Sequence, residues 1–485
     1  MRLLPSAFQT AKRNLMWMVT GLWLVGLFLA ILLKESLLLV LPLGSMLTLL
    51  LLADYRLVLL LLFFSIPFSI EVPLVGNELM LDVPVEPLLL MLSAMVVAIS
   101  LARRGLKVDF WSHPLVLIIL LQLIWSIAST MGSDLPGASL KYLIQKGWFI
   151  LACVGLPYLY LREPGRYKSL WATYALGLLI VLVLSTIRHG MAGFAWGDDI
   201  NIHVRPFYIN HVLYGCAAAM LVPIAWALLL WRRQQGEKTI FPIILLSMAL
   251  LATLFSYTRA SWLSLFLMLA VVLLVRTRLF VHMLAFVLVF VVVLVVWLLR
   301  DNQYLEYAPD FDKTVMHWDL DQHLEATMSG KDLSGMERIY RWVAAKRMIE
   351  ERPLLGSGPD SFYPTYFSRS VETFRTYVSD NPERSTTHNY FLMLTAEQGI
   401  PALLLFLIGL LYFFYRSYRL YLRAKEPFYR TLLFAMIMLM VVFISHQFLN
   451  DLVENNKIGI LYYLLIGMLV RVDIQLKMRE SAYSE

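Results

Sequence analysis

The chain has 485 residues, 59% of them hydrophobic and only 15% charged, with a mean hydropathy of +0.69. Soluble proteins are about half apolar and about a quarter charged, so this balance excludes an ordinary soluble globular protein and makes lipid the expected solvent. The net charge of +7 is no nucleic-acid footprint, because Lys and Arg fall between apolar runs instead of forming a patch; no nucleic-acid partner is expected.

A bilayer is crossed by about 20 residues of helix. Taken in chain order, apolar runs lie near 15–33, 36–53, 57–70, 87–102, 114–131, 141–161, 169–187, 209–231, 240–257, 260–277, 279–299, 390–415, 429–449 and 457–470. The first is too long for a signal-peptide core and lacks a small-residue cleavage site, so it reads as a retained span. The third is short and reads as tilted or re-entrant. Cys153 and Cys216 both fall inside these runs, which marks them as small packing residues, with no disulfide framework or metal cluster. The expected fold is all-α, a polytopic membrane protein of about twelve to fourteen spans.

Charge orients the spans. With Arg2, Lys12 and Arg13 in the cytoplasm, alternation puts, among others, Arg103, Arg104, Lys107, Arg162, Arg166, Lys168, Arg232, Arg233, Lys238, Arg276, Arg278, the cluster Arg416 to Arg430, and Arg471, Lys477 and Arg479 inside as well. That places 23 basic residues inside against 7 in short outer connections, with 11 in one long loop, and long segments are exempt from the charge rule. The expected organisation is an inner-membrane protein with both termini cytoplasmic. Residues 1–299 carry about eleven spans, 300–388 form an extracytoplasmic loop, 389–472 carry about three more spans, and 473–485 are a cytoplasmic tail. Nucleotide sugars and ATP are absent from the outer face, so chemistry there needs a substrate activated before it arrives through the membrane.

The long loop is far beyond ordinary connection length and is expected to be functional. Ser334 and Glu337 form an S-x-x-E capping box, and Met336, Ile339, Tyr340, Val343 and Met348 follow at helical spacing, predicting a helix near 334–351. Pro353 ends it, and Gly356-Ser357-Gly358-Pro359 reads as a tight turn. Its basic residues, Arg338, Arg341, Lys346 and Arg347, suit either a surface helix near lipid phosphates or a ligand. Asp310-Phe311-Asp312 and Asp319-Leu320-Asp321, with His317 and His323 nearby, have the spacing of metal-binding carboxylates. No nucleotide diphosphate exists on that face for them to serve, so no metal site is expected.

Arg259 lies in Phe255-Ser-Tyr-Thr-Arg-Ala-Ser-Trp262, between two long apolar runs, where a charge usually faces a cavity or an anion. Arg205 stands at the same depth before the eighth span. Guanidinium groups make bidentate contacts to phosphate, so the two suit a lipid-linked diphosphate, although helix capping or headgroup contact would also account for them. Lys141 and Lys146 are weaker candidates on the same face. His388, in Thr387-His-Asn-Tyr390, opens the twelfth span and could be a general base or a hydrogen-bonded structural residue. His446, Gln447, Asn450 and Asp451 form a second polar cluster that could line the same cavity.

Three segments together resemble the O-antigen ligase and polymerase superfamily. Phe255-Ser-Tyr-Thr-Arg259-Ala-Ser-Trp262 is similar to its S-x-S-R segment, with Thr258 where the second serine stands. Gly335-Met-Glu-Arg338, Trp342 and Arg352-Pro-Leu-Leu-Gly356-Ser-Gly358-Pro359-Asp-Ser-Phe362 resemble its loop signature. His388-Asn389 through Glu397, Gly399, Ile400, Pro401 and Ala402 is similar to its step into the next span. The resemblance implies a GT-C-like, metal-independent inverting transferase, without cofactor, moving a glycan from undecaprenyl diphosphate to an acceptor hydroxyl such as that of lipid A–core. His388 would be the base, Arg259 and Arg205 would hold the diphosphate, and Arg338 would assist from the loop. The same residues would serve a polymerase joining two lipid-linked repeat units. A transporter would need ionisable residues at mid-membrane or paired broken helices, and the span centres are nearly clean.

Overall fold

A computed structural model describes residues 40–484 except 76–78, 102–104, 195–198, 301–332 and 372–385, together with scattered positions between 17 and 29. The first expected span and both Asp-x-Asp pairs lie outside the described residues, wholly or in large part. What is described is an all-α polytopic bundle. Among the described residues, nine helices are long and apolar enough to cross a membrane, and Val85–Leu101 and Ile240–Phe255 are shorter apolar helices.

In chain order the main helices are α1 (Val40–Ser65), α2 (Val85–Leu101), α3 (Pro114–Met131), α4 (Pro136–Tyr160), α5 (Pro164–Met191), α6 (His211–Gln234), α7 (Ile240–Phe255), α8 (Arg259–Arg276), α9 (Phe280–Leu299), α10 (Leu333–Glu351), α11 (Tyr390–Arg423), α12 (Pro427–Gln447) and α13 (Gly459–Ser484). Most boundaries match the apolar runs within a few residues. The second and third expected spans are two helical stretches within α1, joined at Asp54, where the backbone leaves the helix. The acidic segment after it holds an antiparallel hairpin, β1 (Ile70–Val75) paired with β2 (Leu79–Val83), which the apolar pattern did not suggest. Helix α10 begins at Leu333, so Ser334 lies inside it instead of capping it, while its end at Glu351, just before Pro353, is as expected.

Small residues decide which helices are central. Gly215, Ala217, Ala218 and Ala219 let neighbours approach α6 closely, and 89% of its apolar window is buried. α6 packs on α7 and α12, α12 on α8 and α11, and α11 on α3. Helix α13 is equally buried. Its Gly467 lies against a π-helical stretch of α4, Phe149–Gly155, so closely that an added Cβ would stand 2.8 Å from the Cys153 carbonyl oxygen. Cys153 and Cys216 are buried and unpaired, in keeping with a packing role. Helix α9 is the reverse case: its aliphatic surface is unburied along its whole window, as befits a helix surrounded by lipid tails.

At the end of the bundle away from the long loop, Asp473 of α13 is fully buried and takes Arg416 of α11 in a bidentate pair at 2.6 and 2.7 Å. His113 Nε2 also donates to it at 3.1 Å. The His113 Nδ1 is an acceptor, because it caps α3 by taking the Leu115 N–H. Removing the acceptor would leave buried donors unpaired, which costs on the order of 3–5 kcal/mol. Asp473→Ala is therefore expected to lower the thermal midpoint in detergent markedly, and Asp473→Asn, which keeps one acceptor, by less. An unchanged midpoint in the alanine variant would remove this cluster from the account of stability.

Candidate functional site

The site has two corners joined through α12, which packs on α8 and on α11, while α10 packs on α11. Its first corner is the turn from α7 into α8. Tyr257 has a left-handed backbone, φ +51°, and Thr258 is the N-cap residue, so Arg259 is the first residue of α8. The hydroxyls around it all point inward. Ser256 Oγ donates to Thr253 O at 2.8 Å, Thr258 Oγ1 to His211 O at 3.1 Å, and Ser261 Oγ lies 3.0 Å from His446 Nε2. Since His446 Nδ1 donates to Val442 O at 2.8 Å, Nε2 accepts the Ser261 hydroxyl. All three hydroxyls close on Gly215, whose added Cβ would meet them at 2.6 to 2.9 Å. The serines and threonine of this motif therefore fix the corner through their hydroxyls, which Thr258 also supplies.

Arg259 itself is half-buried. A cation in the first turn opposes the helix dipole, at a cost of about 0.3–1 kcal/mol, so helix capping does not explain it. Arg205 is exposed, and its Nε donates to Ile209 O at 3.3 Å. Its own carbonyl accepts from Arg188, whose other nitrogen donates to Ile202 O at 3.2 Å. The Arg205 region is thus tied into its connection before α6, which Asn210 caps through Leu213 N–H.

The second corner is the irregular stretch 386–389 before α11. His388 has φ +50°, a left-handed conformation that a non-glycine residue keeps only when its surroundings impose it. They do so from two sides. From α10, Trp342 Nε1 donates to Thr387 O at 2.9 Å and Arg341 Nη1 to Thr386 O at 3.2 Å, with Arg341 also paired to Glu337 at 3.3 Å. From the connection after α12, Phe448 O accepts Asn389 Nδ2 and Asn450 O accepts the Tyr390 N–H, both at 3.2 Å, and Asp451 takes the Thr386 hydroxyl. Asn389 Oδ1 then caps α11 through Leu392 N–H at 3.1 Å. Burial, followed by the guanidiniums of Arg338 and Arg341, pushes the His388 pKa down to about 3, so the imidazole is neutral at ordinary pH. Burial pushes the Asp451 carboxyl up to about 6 against the pull of Thr386 and Arg341.

Arg338 and Arg341 of α10 thus both act electrostatically on His388. The two corners share α12: Ser261, two residues from Arg259, meets it at His446, and Asn389 meets its end at Phe448. The loop helix does not lie free on a surface. Tyr340, Val343, Ala344, Ala345 and Met348 are buried against the protein.

A third feature locks the loop to α11. Gly399, φ +78°, breaks this helix, and Pro401 has no N–H for the Glu397 carbonyl. The freed carbonyls are taken up by other groups: Ala396 O by Ser357 N–H (3.1 Å), Glu397 O by Gly358 N–H (2.8 Å) and Gln398 O by Trp125 Nε1 (2.9 Å). The Glu397 carboxylate in turn accepts the N–H of Asp360 at 3.1 Å and of Phe362 at 2.9 Å. Glu397 and the glycines of the loop signature therefore join two segments. Three groups that sequence patterning did not single out also converge here: Tyr142 and Tyr390 donate to Glu454 Oε1 at 3.0 and 3.1 Å. Their only sequence signal was position, each standing at a span end on the loop side.

Fold and site together define a polytopic all-α membrane protein with a loop helix latched over a basic, histidine-bearing corner. Residues 243–407, from α7 to the first half of α11, match the family model for O-antigen ligase. The match supports an activity of the ligase or polymerase type in general, with a lipid-linked glycan and an acceptor as the general partners. Among curated proteins no match to the chain is found.

Proposed function

We propose that this protein transfers a glycan from undecaprenyl diphosphate to an acceptor hydroxyl at the periplasmic face of the inner membrane, as an O-antigen ligase acting on lipid A–core. The observation that carries this is the latch of α10 over the irregular stretch that holds His388, which keeps a neutral imidazole in the field of Arg338 and Arg341. His388 removes the proton of the acceptor hydroxyl as its oxygen bonds to the anomeric carbon from the face opposite the diphosphate. The diphosphate leaves with the bonding electron pair, so the anomeric configuration inverts. Arg259, with Arg205 and Arg338, holds the diphosphate and meets the charge that grows on it. A diphosphate beside these guanidiniums also offsets the field that depresses His388, raising its proton affinity when donor is bound. No metal or cofactor is required, because a diphosphate is already a good leaving group and the arginines are held in advance.

The test is transfer by purified protein, in EDTA, from an undecaprenyl-diphosphate glycan to a lipid A–core acceptor. Product is expected with wild type and not with Arg259→Ala, at equal protein levels. In cells, loss of a ligase leaves core without repeats, whereas loss of a polymerase leaves core bearing a single repeat. A single-repeat phenotype, or no product in EDTA with activity restored by metal, would overturn the assignment.

A further inference from the structure

Glu454, in the connection from α12 to α13, is anchored from behind. The same Oε1 that takes the Tyr390 hydroxyl also takes that of Tyr142. Tyr142 in turn accepts from Gln398 Nε2 at 3.0 Å and Lys146 Nζ at 3.2 Å, and Lys146 donates to Ser126 Oγ at 2.9 Å. Gln145 Nε2 fixes the Glu454 carbonyl at 2.8 Å. The other carboxylate oxygen, Oε2, is buried and has no hydrogen-bond partner among the described residues. Burial pushes the Glu454 pKa up.

For stability alone this is a poor arrangement, since a buried carboxylate with one oxygen unmet is costlier than an apolar residue of similar size. What it achieves is placement of one hydroxyl, that of Tyr390, two residues past His388. A left-handed residue at 388 persists only if the backbone on both sides is over-determined. Thr386 and Thr387 are held by α10 and Asp451, and on the other side Tyr390 is held at its N–H and at its hydroxyl.

We propose that Glu454, backed by Tyr142 and Lys146, is a positioning residue for His388. Through the Tyr390 hydroxyl it pins the first turn of α11, so that residue 388 keeps its left-handed backbone and its ring stays in the field of Arg338 and Arg341. The inference rests on the assignment of His388 as the base. Its test therefore includes a readout that needs no transfer: the rate at which diethyl pyrocarbonate modifies His388, followed peptide by peptide among the nine histidines.

Tyr390→Phe and Glu454→Ala are each expected to speed modification of His388 about threefold or more, as a pinned segment gains local opening, with other histidines unchanged. Both are expected to lower kcat about tenfold at unchanged KM for the lipid-linked donor, the size a small misplacement of a reacting group produces. Thermal midpoints should hold in Tyr390→Phe. The double variant should be no worse than Glu454→Ala, because one contact is lost either way, and Glu454→Gln, which keeps an acceptor at this place, should restore most of the rate. Unchanged His388 modification in Tyr390→Phe, or additive losses in the double variant, would overturn the proposal. Transfer surviving in His388→Ala would instead remove the base assignment, while the modification rates still decide whether Glu454 positions the ring.

Discussion

His388→Ala is expected to lower transfer by at least about a hundredfold, the lower end of what a general base contributes, while the protein stays at its normal level in the membrane. The pH dependence gives a sharper signature than the loss itself. A lowered folded-state pKa means that the imidazole is neutral, and so able to accept a proton, at every pH above about 3. Competence fades only as the pH falls through that value, so the acid limb near 6.5 of an ordinary histidine should be missing from kcat/KM. Asp451, pushed up to about 6, is the group that can place a limb in that region, because its protonation alters the hold on Thr386. Asp451→Asn should then flatten the profile. A limb near 6.5 that survives this substitution would show that burial, with the guanidiniums of Arg338 and Arg341, does not hold the His388 pKa down. In kcat, where donor is bound and offsets those arginines, the limb should move to higher pH.

The two arginines were legible in different degrees. Arg259 stood out because a charge flanked by two apolar runs is conspicuous in any membrane chain, and its place at the start of α8 follows from where those runs end. Arg205 looked equivalent by depth, yet it is exposed and tied to its own connection, a distinction set by the path of the chain from α5 to α6. The spans themselves were readable for the same reason, since apolar length is a local property. Their packing order was less so, although Gly215 and the three alanines after it mark the central helix. The hairpin after α1 escaped because its strands alternate over only five or six residues. Glu454, Tyr142 and Tyr390 escaped for a different reason. Glu454 and Tyr142 meet across more than three hundred residues of chain, and no local period or motif records such a meeting. Glu397 was legible as part of the segment that carries the resemblance, but the turn its carboxylate caps, 35 to 37 residues back along the chain, was not.

Gly399→Ala is expected to release the loop from the bundle without dismantling the spans. Glycine is required there twice over. Its φ of +78° with ψ 172° is a region essentially confined to glycine, which alanine enters only at a cost of about 1–3 kcal/mol. An added Cβ would also stand 1.8 Å from the Leu354 carbonyl oxygen and 2.9 Å from that of Pro353. Backbone cannot yield to such a contact as a side-chain tip can, so residues 353 and 354 must move away. That movement breaks the bond from Ile400 N–H to Pro353 O and pulls on the adjoining bonds from Ser357 and Gly358 to the α11 carbonyls. Helix α10 ends two residues before Pro353, so its hold on Thr386 and Thr387 weakens with them. A combined penalty of roughly 3 kcal/mol would raise the open fraction of the loop about a hundredfold. Limited proteolysis between 352 and 371 should accelerate accordingly, transfer should fall with it, and the membrane-embedded core should remain resistant. Gly165→Ala, where a Cβ meets nothing within 4 Å, serves as the control and should change neither. Wild-type cleavage rates in Gly399→Ala would mean that the loop is held by α10 alone, and that the interlock of Ser357, Gly358, Asp360 and Phe362 with Ala396 and Glu397 of α11 contributes nothing to closing the site.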